Sequence, residues 1–285
     1  MQNRLRSIVA LAALAATLSS CSDSPTTPPA TVNNTPPIID SLAVASERVE
    51  ADRLVQVTAV VRDAESPLGA MAYTWSASPQ VGAFGATTSF AGSQALNTWM
   101  PPKGQKTPDV YTVMLTVTES YSSAGQAKQN TATRSITTHY NDSPAENNEL
   151  GHDFIVTKFG NYNVSPEEAV SNFSDSCAGK AEELADIENN RENFMIIAAS
   201  FPSPVVTLNS ALTEGLVEGR CQFEDIPKSG PNAGKREFVS GTCRLETIYE
   251  AANFRWRLCK SNFNGPFTTT PASLRGRVPG RPYVP

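Results

Sequence analysis

Histidine is the first side chain to consider for chemistry, because imidazole titrates near neutral pH and suits general acid–base catalysis. The chain has only two, His139 and His152. In the sequence Gly-His152-Asp153 a carboxylate could orient the imidazole, but no candidate nucleophile is close in sequence. No G-x-S-x-G motif, phosphate-binding loop or H-E-x-x-H motif occurs in the chain. We therefore identify no catalytic residues and no cofactor from motifs.

Five cysteines carry a more specific signal, beginning with Cys21. Two arginines, Arg4 and Arg6, precede an apolar run over residues 8–18. This run is too short to span a bilayer and is typical of a signal peptide. It ends in the sequence LSSC at Cys21, which resembles the bacterial lipobox. The resemblance implies that residues 1–20 are removed as a lipoprotein signal peptide and that Cys21 carries the lipid.

Lipidation of Cys21 implies both a compartment and a partner. Two or three acyl chains hold a protein stably on a membrane, so the membrane is the expected partner. Ser22 follows the cysteine in place of aspartate, which resembles the sorting signal for the outer membrane. Removal of the signal peptide changes the formal net charge from -5 to -7, because two arginines are lost. This negative charge predicts no nucleic-acid partner.

The other four cysteines, an even number in an exported protein, predict two disulfides. In the antiparallel meander described below, Cys221 is expected opposite Cys243, and Cys243 opposite Cys259 or Lys260. Two pairings satisfy this arrangement: Cys221–Cys243 with Cys177–Cys259, which we favour, and Cys243–Cys259 with Cys177–Cys221. No metal site is expected, because the C-x-x-C spacing of zinc sites is missing.

Polar and proline-rich stretches divide the 285 residues into two folded domains. Residues 21–37 are predicted to be a Pro/Thr-rich tether that lifts the folded part off the membrane. A second polar break, over 141–149, separates a first domain of residues 38–140 from a second of residues 150–267. Residues 268–285 are expected to be a flexible tail rich in proline, glycine and arginine, or alternatively a docking peptide.

The first domain alternates apolar and polar residues with the period of two that is typical of strands. Strands are expected at 54–61, 71–75, 110–117 and 132–138. A PKD-like domain of immunoglobulin type resembles this pattern, on the segments 36–38, 55–63, 72–75, 99–102 and 111–117. The resemblance implies an all-β sandwich with Trp75 between its sheets, and a role in binding proteins or glycans or as a spacer.

Three acidic residues and one tryptophan of this domain could serve binding. Asp63, Glu65 and Glu119 stand near the positions where PKD-like domains often carry acidic residues. The pattern is degraded, which favours capping of a turn over a calcium site. Trp99 is expected in the core, with an exposed binding aromatic as the alternative.

The second domain begins with helical signals and continues with strands. The sequence from Ser165 to Glu168 is typical of a helix start, helical spacing continues to Ile187, and a second helical piece is predicted over 191–200. Strands are expected at 216–226, 237–249 and 253–263, with short links that favour an antiparallel meander. The predicted fold is therefore an immunoglobulin-like sandwich followed by an α+β domain.

Helices followed by a curved antiparallel sheet resemble the SnoaL-like (nuclear-transport-factor-type) fold, over about residues 160–265. The resemblance rests on the order of elements and on the strand that contains Trp256. It implies a cone-shaped sheet whose ligand pocket would be lined by Tyr249, Phe254 and Trp256. The competing interpretation packs this aromatic face on the helices. No catalytic motif of that family is matched.

These observations predict a lipid-anchored cell-envelope protein with a binding or structural role, in which the two domains recognise a protein or glycan. The predicted location is the outer membrane. The alternative is a SnoaL-like pocket enzyme or small-ligand binder, with His152 or Asp153 as the base of its acid–base chemistry.

Overall fold

A computed structural model describes residues 31–264 of the chain. This part is mostly β, with fourteen strands arranged in three sheets, so the predicted β-rich character is confirmed. None of the helices within these residues is long and apolar enough to cross a bilayer. The predicted signal peptide, the lipidation site Cys21 and the predicted tail 268–285 all lie outside the described residues.

The N-terminal part, residues 31–141, contains the first nine strands: β1 (Ile38–Val44), β2 (Arg48–Glu50), β3 (Val55–Arg62), β4 (Ala72–Ser78), β5 (Ala83–Phe84), β6 (Ser89–Ala91), β7 (Gln94–Met100), β8 (Asp109–Ser123) and β9 (Gln126–Asn141). One sheet has the order β1-β3-β7-β5, with β6 also paired to β7. The other has the order β2-β9-β8-β4. A 3-10 turn at Leu68–Ala70 precedes β4.

Apolar side chains from both of these sheets share one core. Five aromatic rings pass through it in sequence, each within 6.5 Å of the next between centroids: Trp75, Phe84, Trp99, Tyr111 and Tyr140. Trp75 and Trp99 are both buried, so Trp99 belongs to the core and offers no exposed binding ring. Burial of such large rings contributes much of the stability of a core.

Residues 32–35, at the end of the predicted tether, contact the folded part. The N–H of Val32 donates to Ser123 Oγ at 3.1 Å. The amide of Asn34 donates to Glu119 Oε1 at 2.9 Å. Polar side chains typical of a linker thus provide hydrogen bonds that hold this segment against β8.

The C-terminal part, residues 142–264, contains helices followed by a third sheet. The helices are α1 (Ser143–His152), which continues as a π-helical segment (Asp153–Phe159), α2 (Pro166–Ala169) and α3 (Gly179–Asn193). The strands are β10 (Phe194–Ser200), β11 (Val205–Leu208), β12 (Glu214–Pro227), β13 (Glu237–Glu250) and β14 (Arg255–Asn264). They form one sheet of order β10-β12-β13-β14, in which β11 also pairs with β12 and the last three strands make the expected meander.

Two helical predictions in this part are wrong. Residues 194–200, expected to be helical, form the edge strand β10, which pairs antiparallel with β12. Phe194 and Ile196 are buried while Met195 and Ile197 are exposed, and this alternation over β-branched residues suits a strand. The helix that starts at Ser165 ends after one turn, at Ala169.

The polar break predicted over 141–149 is largely the helix α1. The carboxylate of Asp142 accepts a hydrogen bond from the N–H of Ala145 at 3.3 Å and caps the helix. Ser143, Glu146 and Asn147 are buried on this helix although they are polar. The buried side of α1 is polar and is held by hydrogen bonds in place of apolar contacts. The sequence of this helix therefore lacks the apolar periodicity by which helices are predicted.

The helices cover one side of the third sheet and build the second core. Phe154, Phe159 and Phe173 lie in this core with strand residues such as Phe223 and Leu258. Helix side chains therefore fill this side of the third sheet.

Two disulfides brace this part: Cys177–Cys259 and Cys221–Cys243. These are the bonds of the favoured pairing. On the β14 side, Cys243 lies opposite Phe263 and not opposite the predicted Cys259 or Lys260. On the β12 side, the register differs from the predicted one by two residues, since Cys221 lies opposite Gly241 and Cys243 lies opposite Gly219. The second disulfide is therefore a diagonal bond between β12 and β13.

Candidate functional site

Several buried polar side chains lie at the junction between the two parts of the chain. We call this junction the seam and define it by six residues: Arg48, Glu50, Asn141, Ser143, Tyr249 and Trp256. The first three come from the N-terminal part, and Ser143 begins α1. Tyr249 and Trp256 lie directly opposite each other on β13 and β14.

Arg48 lies at the centre of the seam. Its guanidinium donates to Glu50 Oε2 at 3.0 Å, to Ser143 Oγ at 2.6 Å and to the carbonyl of Leu212 at 3.0 Å. It also lies 3.6 Å above the centroid of the Tyr249 ring, in a cation–π contact. Glu50 in turn accepts from the N–H and hydroxyl of Ser143. One arginine thus binds β2, α1 and the third sheet together.

Of the three aromatic residues expected to line a pocket, two lie in the seam, and the third, Phe254, contacts it through its carbonyl, which accepts from the amide of Asn141. The indole N–H of Trp256 donates to Ser143 Oγ at 2.8 Å. The hydroxyl of Tyr249 donates to Asn141 Oδ1 at 3.3 Å, and burial raises the pKa of Tyr249 to about 12. Phe254 lies in the turn before β14 and stacks on His139 with 3.4 Å between ring centroids. Of the three, Trp256 also lines an open cleft.

Glu146 connects the seam to this cleft. Its carboxylate accepts from the amide of Asn141 at 2.6 Å and from the hydroxyl of Thr107. Burial raises the pKa of Glu146, and these two hydrogen bonds lower it in part. The buried carboxylate therefore has partners from both parts of the chain and fixes the wall of the cleft.

The seam cleft has a volume of about 320 Å³ and lies where the two parts meet. Residues of α1 spaced three or four apart form one wall, because such positions share a helix face. The start of β14 forms another. The cleft is lined by Thr107, Pro108, Glu146, Glu149, Leu150, Asp153, Asn172, Arg255, Trp256 and Arg257.

Two charged side chains of opposite sign are available in this cleft. Arg255 and Glu149 are exposed and have no ion pair or side-chain hydrogen bond with any described residue. By contrast, Arg257 lies 3.7 Å from Glu250, and Asp153 accepts from the amide of Asn172 at 2.6 Å. The cleft can therefore offer a free cation and a free anion to one ligand, beside the Trp256 indole.

The histidine candidates are not brought together with a carboxylate. His152 is exposed at the end of α1 and lines a different cleft, of about 600 Å³, with Val156 and Phe201. Asp153 points into the seam cleft, because successive helical positions do not face each other. His139 is stacked on Phe254. This geometry supplies no general base oriented by Asp153.

Of the three acidic residues singled out in the N-terminal part, Asp63 caps a turn. Asp63 Oδ1 accepts from the N–H groups of Glu65 and Ser66, at 2.9 and 2.7 Å. Glu119 is buried and accepts from the hydroxyl of Ser66. Within residues 31–264 no group of three His, Cys, Asp or Glu side chains could hold a metal ion.

A second surface is notable for its lack of charge. The outward side chains of β4, β8 and β9 are threonine and serine with a few neutral residues, and three of them, Thr74, Thr116 and Thr133, lie side by side. We call this surface the hydroxyl face; its residues are Ala72, Thr74, Ser76, Ser78, Val110, Thr112, Met114, Thr116, Thr118, Ser120, Gln129, Thr131, Thr133, Ser135, Thr137 and His139. None of them is Asp, Glu, Lys or Arg.

Sequence reasoning missed most of the seam. The sequence Asp142-Ser-Pro-Ala-Glu146 carries a helix N-terminal pattern and could have revealed α1. Nothing in the sequence singles out Arg48, because two of its partners, Ser143 and Leu212, lie 95 and 164 positions away.

Comparisons with known proteins add little. No protein-family model and no curated protein matches the chain. The crystal structure of the intermembrane space region of chloroplast protein ARC6 is similar over 29% of this chain and 66% of that chain. That match has 14% sequence identity and a TM-score of 0.22, which is too low to support an argument about fold or function.

Proposed function

We propose that the chain is a lipid-anchored protein of the bacterial cell envelope that binds a protein partner at the seam cleft. One observation carries the proposal: Arg255 and Glu149 present free charges of opposite sign in one cleft, beside the indole of Trp256. Such a cleft favours a peptide segment that carries both signs of charge, because each charge then meets its opposite.

The proposed anchor is a lipid on Cys21, and the proposed membrane is the outer membrane. Two disulfides in the described residues support an oxidising compartment. Metabolic labelling with radioactive palmitate should label the full chain, and Cys21→Ala should abolish the label. An unlabelled wild-type chain would contradict the anchor.

The proposed architecture is a PKD-like, immunoglobulin-type sandwich over residues 38–140 followed by an α+β domain. A single core shared by two sheets, with Trp75 inside it, supports the first assignment. A SnoaL-like pocket enzyme is the weaker proposal. Helix residues fill the inner side of the third sheet, and Tyr249 and Trp256 are bound in the seam.

Calorimetric titration of the full chain with short synthetic peptides tests the binding site. We expect tetrapeptides that contain one lysine and one glutamate to bind, and all-alanine tetrapeptides to fail. Loss of either free charge, in Arg255→Ala or Glu149→Ala, should weaken binding about tenfold, as expected for a charged contact worth about 1.4 kcal/mol.

Arg244 supplies the matched control, since it is also exposed on this sheet but lies outside the cleft. Arg244→Ala should leave the affinity unchanged. Equal affinity for charged and neutral peptides, or equal effects of Arg244→Ala and Arg255→Ala, would exclude the seam cleft as the site.

The hydroxyl face favours a second candidate function, the binding of a neutral glycan. Desolvation of a surface without charge against an uncharged, hydroxyl-bearing partner costs little free energy, because hydroxyl groups can hydrogen-bond to each other. The chain should therefore co-sediment with insoluble chitin or cellulose, and the bound fraction should not depend on salt concentration. Thr116→Glu should abolish co-sedimentation, because a carboxylate would be buried at the centre of the face. Unchanged sedimentation of that variant would remove this candidate.

A further inference from the structure

An exposed apolar face lies on the other side of the third sheet, away from the helices. We call it the Phe238 face; it consists of Met195, Ile197, Ile226 and Phe238. Met195 on β10 lies opposite Ile226 on β12. Phe238 on β13 lies opposite Glu224, which is two residues before Ile226 on β12. The Phe238 side chain is 63% exposed. These apolar side chains form a candidate interaction surface.

The position of the Phe238 face separates it from the seam cleft. Asp225 and Val239 point to the helix side of the sheet, so Ile226 and Phe238 point away from it. The face lies near Asp225 and Glu237 at one end of the sheet, whereas Tyr249 and Trp256 lie at the other end. A partner on this face would leave the seam cleft open.

The neighbouring edge strand indicates how a partner would bind. An edge strand can accept another strand through its free backbone groups, and β10 carries no charged residue that would prevent this. However, the register of β10 shifts between Ile196 and Ala198, which makes Ile197 a bulge. A bulge interrupts strand addition and turns Ile197 outward, so packing between faces is favoured over pairing of edges.

Charge and shape make the Phe238 face self-complementary. Arg236 pairs with Glu224 at 2.8 Å beside Phe238, so the face carries one cation and one anion. In a two-fold arrangement Arg236 of one copy can meet Glu224 of the second, and no like charges need meet. A depression of about 160 Å³ lies at one side of Phe238, which forms part of its wall together with Ala198 and Glu224. It can receive an aromatic ring of a second copy.

We infer that the Phe238 face binds a second copy of this chain as a two-fold dimer. Phe238 of each copy enters the depression of the other and packs against the Phe238 ring in its wall, with Met195 and Ile226 at one side of the contact. The apolar centre is small, so the dimer is weak in solution, with a micromolar Kd. Attachment of both copies to one membrane would raise their local concentration and favour the dimer.

Photo-cross-linking of the full chain in detergent tests this contact. With p-benzoylphenylalanine in place of Phe238, irradiation should produce a covalent dimer, and mass spectrometry should identify chain-to-chain peptides. Val205 is the matched control, since it is an exposed apolar residue on the same side of the same sheet but outside the face. The same substitution at Val205 should yield no dimer, which excludes chance contacts within a micelle.

Sedimentation velocity provides the second measurement. Phe238→Glu should raise the dimer Kd at least tenfold, whereas Val205→Glu should leave it unchanged, with both variants folded by near-UV circular dichroism. In reconstituted vesicles, photo-cross-links from the benzoylphenylalanine at position 238 to phospholipid would show that the face contacts the membrane and would overturn the proposal. An equal yield from both cross-linker positions, or an unchanged Kd for Phe238→Glu, would overturn it as well.

Discussion

Arg48 is the side chain on which the contacts between the two parts of the chain converge. A buried charge is costly unless it is paired and hydrogen-bonded. Arg48 is 15% exposed and meets this condition through Glu50, Ser143, the carbonyl of Leu212 and the Tyr249 ring. Removal of the guanidinium would leave the Glu50 carboxylate buried without its cation.

We predict that Arg48→Met lowers the free energy of unfolding by about 3 kcal/mol, the cost of breaking a buried ion pair from one side. Urea denaturation measures this change. Arg62, whose ion pair with Asp40 is exposed, provides the control, and Arg62→Met should cost less than about 1 kcal/mol. Similar costs for both variants would show that the seam does not depend on Arg48.

Glu183 is a second buried ionisable group, on the side of α3 that faces β14. It is 1% exposed, accepts one hydrogen bond from Ser261, and burial raises its pKa from 4.5 to about 8. Between pH 4.5 and 8 the unfolded state loses a proton that the folded state keeps. The free energy of unfolding therefore falls as the pH rises through this range.

Glu183→Gln should flatten this pH dependence, because glutamine cannot ionise. Between pH 5 and 8, the free energy of unfolding should fall by on the order of 3 kcal/mol less in the variant than in the wild type. Urea denaturation at several pH values measures the difference. Glu188→Gln, at an exposed position of the same helix, should retain the wild-type pH dependence. A wild-type slope in Glu183→Gln would contradict the assigned burial.

At the scale of elements, the sequence predicts strands better than helices. Alternation in β3, β8 and the meander is visible because each strand buries one side in an apolar core. By contrast, α1 buries Ser143, Glu146 and Asn147 through hydrogen bonds, so its pattern resembles a linker. The strand β10 is a short apolar run that periodicity alone cannot assign to a strand or a helix, and its pairing with β12 decides between the two.

Disulfide Cys177–Cys259 joins the segment before α3 to β14 and closes a loop of 82 residues. Constraint of so long a loop in the unfolded state stabilises the fold, by about 4.5 kcal/mol in the loop-entropy relation. The double variant Cys177→Ala, Cys259→Ala should lose roughly that amount in urea denaturation. Non-reducing peptide mapping should link Cys177 to Cys259, and a link from Cys177 to Cys221 would contradict the fold.

At the scale of the whole molecule, two apolar cores are joined by a polar seam. The pattern of the sequence locates both cores, since each depends on local periodicity. It does not reveal the seam, because Arg48 meets Ser143 and Leu212 only after the chain has folded. Trp256 is recognisable as a candidate site residue, but its neighbours in the cleft are not.

The chain has three tryptophans, and their positions allow a direct test of the proposed site. Trp256 lines the seam cleft, whereas Trp75 and Trp99 are buried in the core of the N-terminal part. The proton–nitrogen NMR spectrum of the full chain therefore reports on the cleft through one indole signal. On saturation with a Lys/Glu tetrapeptide, we predict that the Trp256 signal shifts while those of Trp75 and Trp99 stay in place. An unmoved Trp256 signal at saturation would contradict binding at the seam cleft.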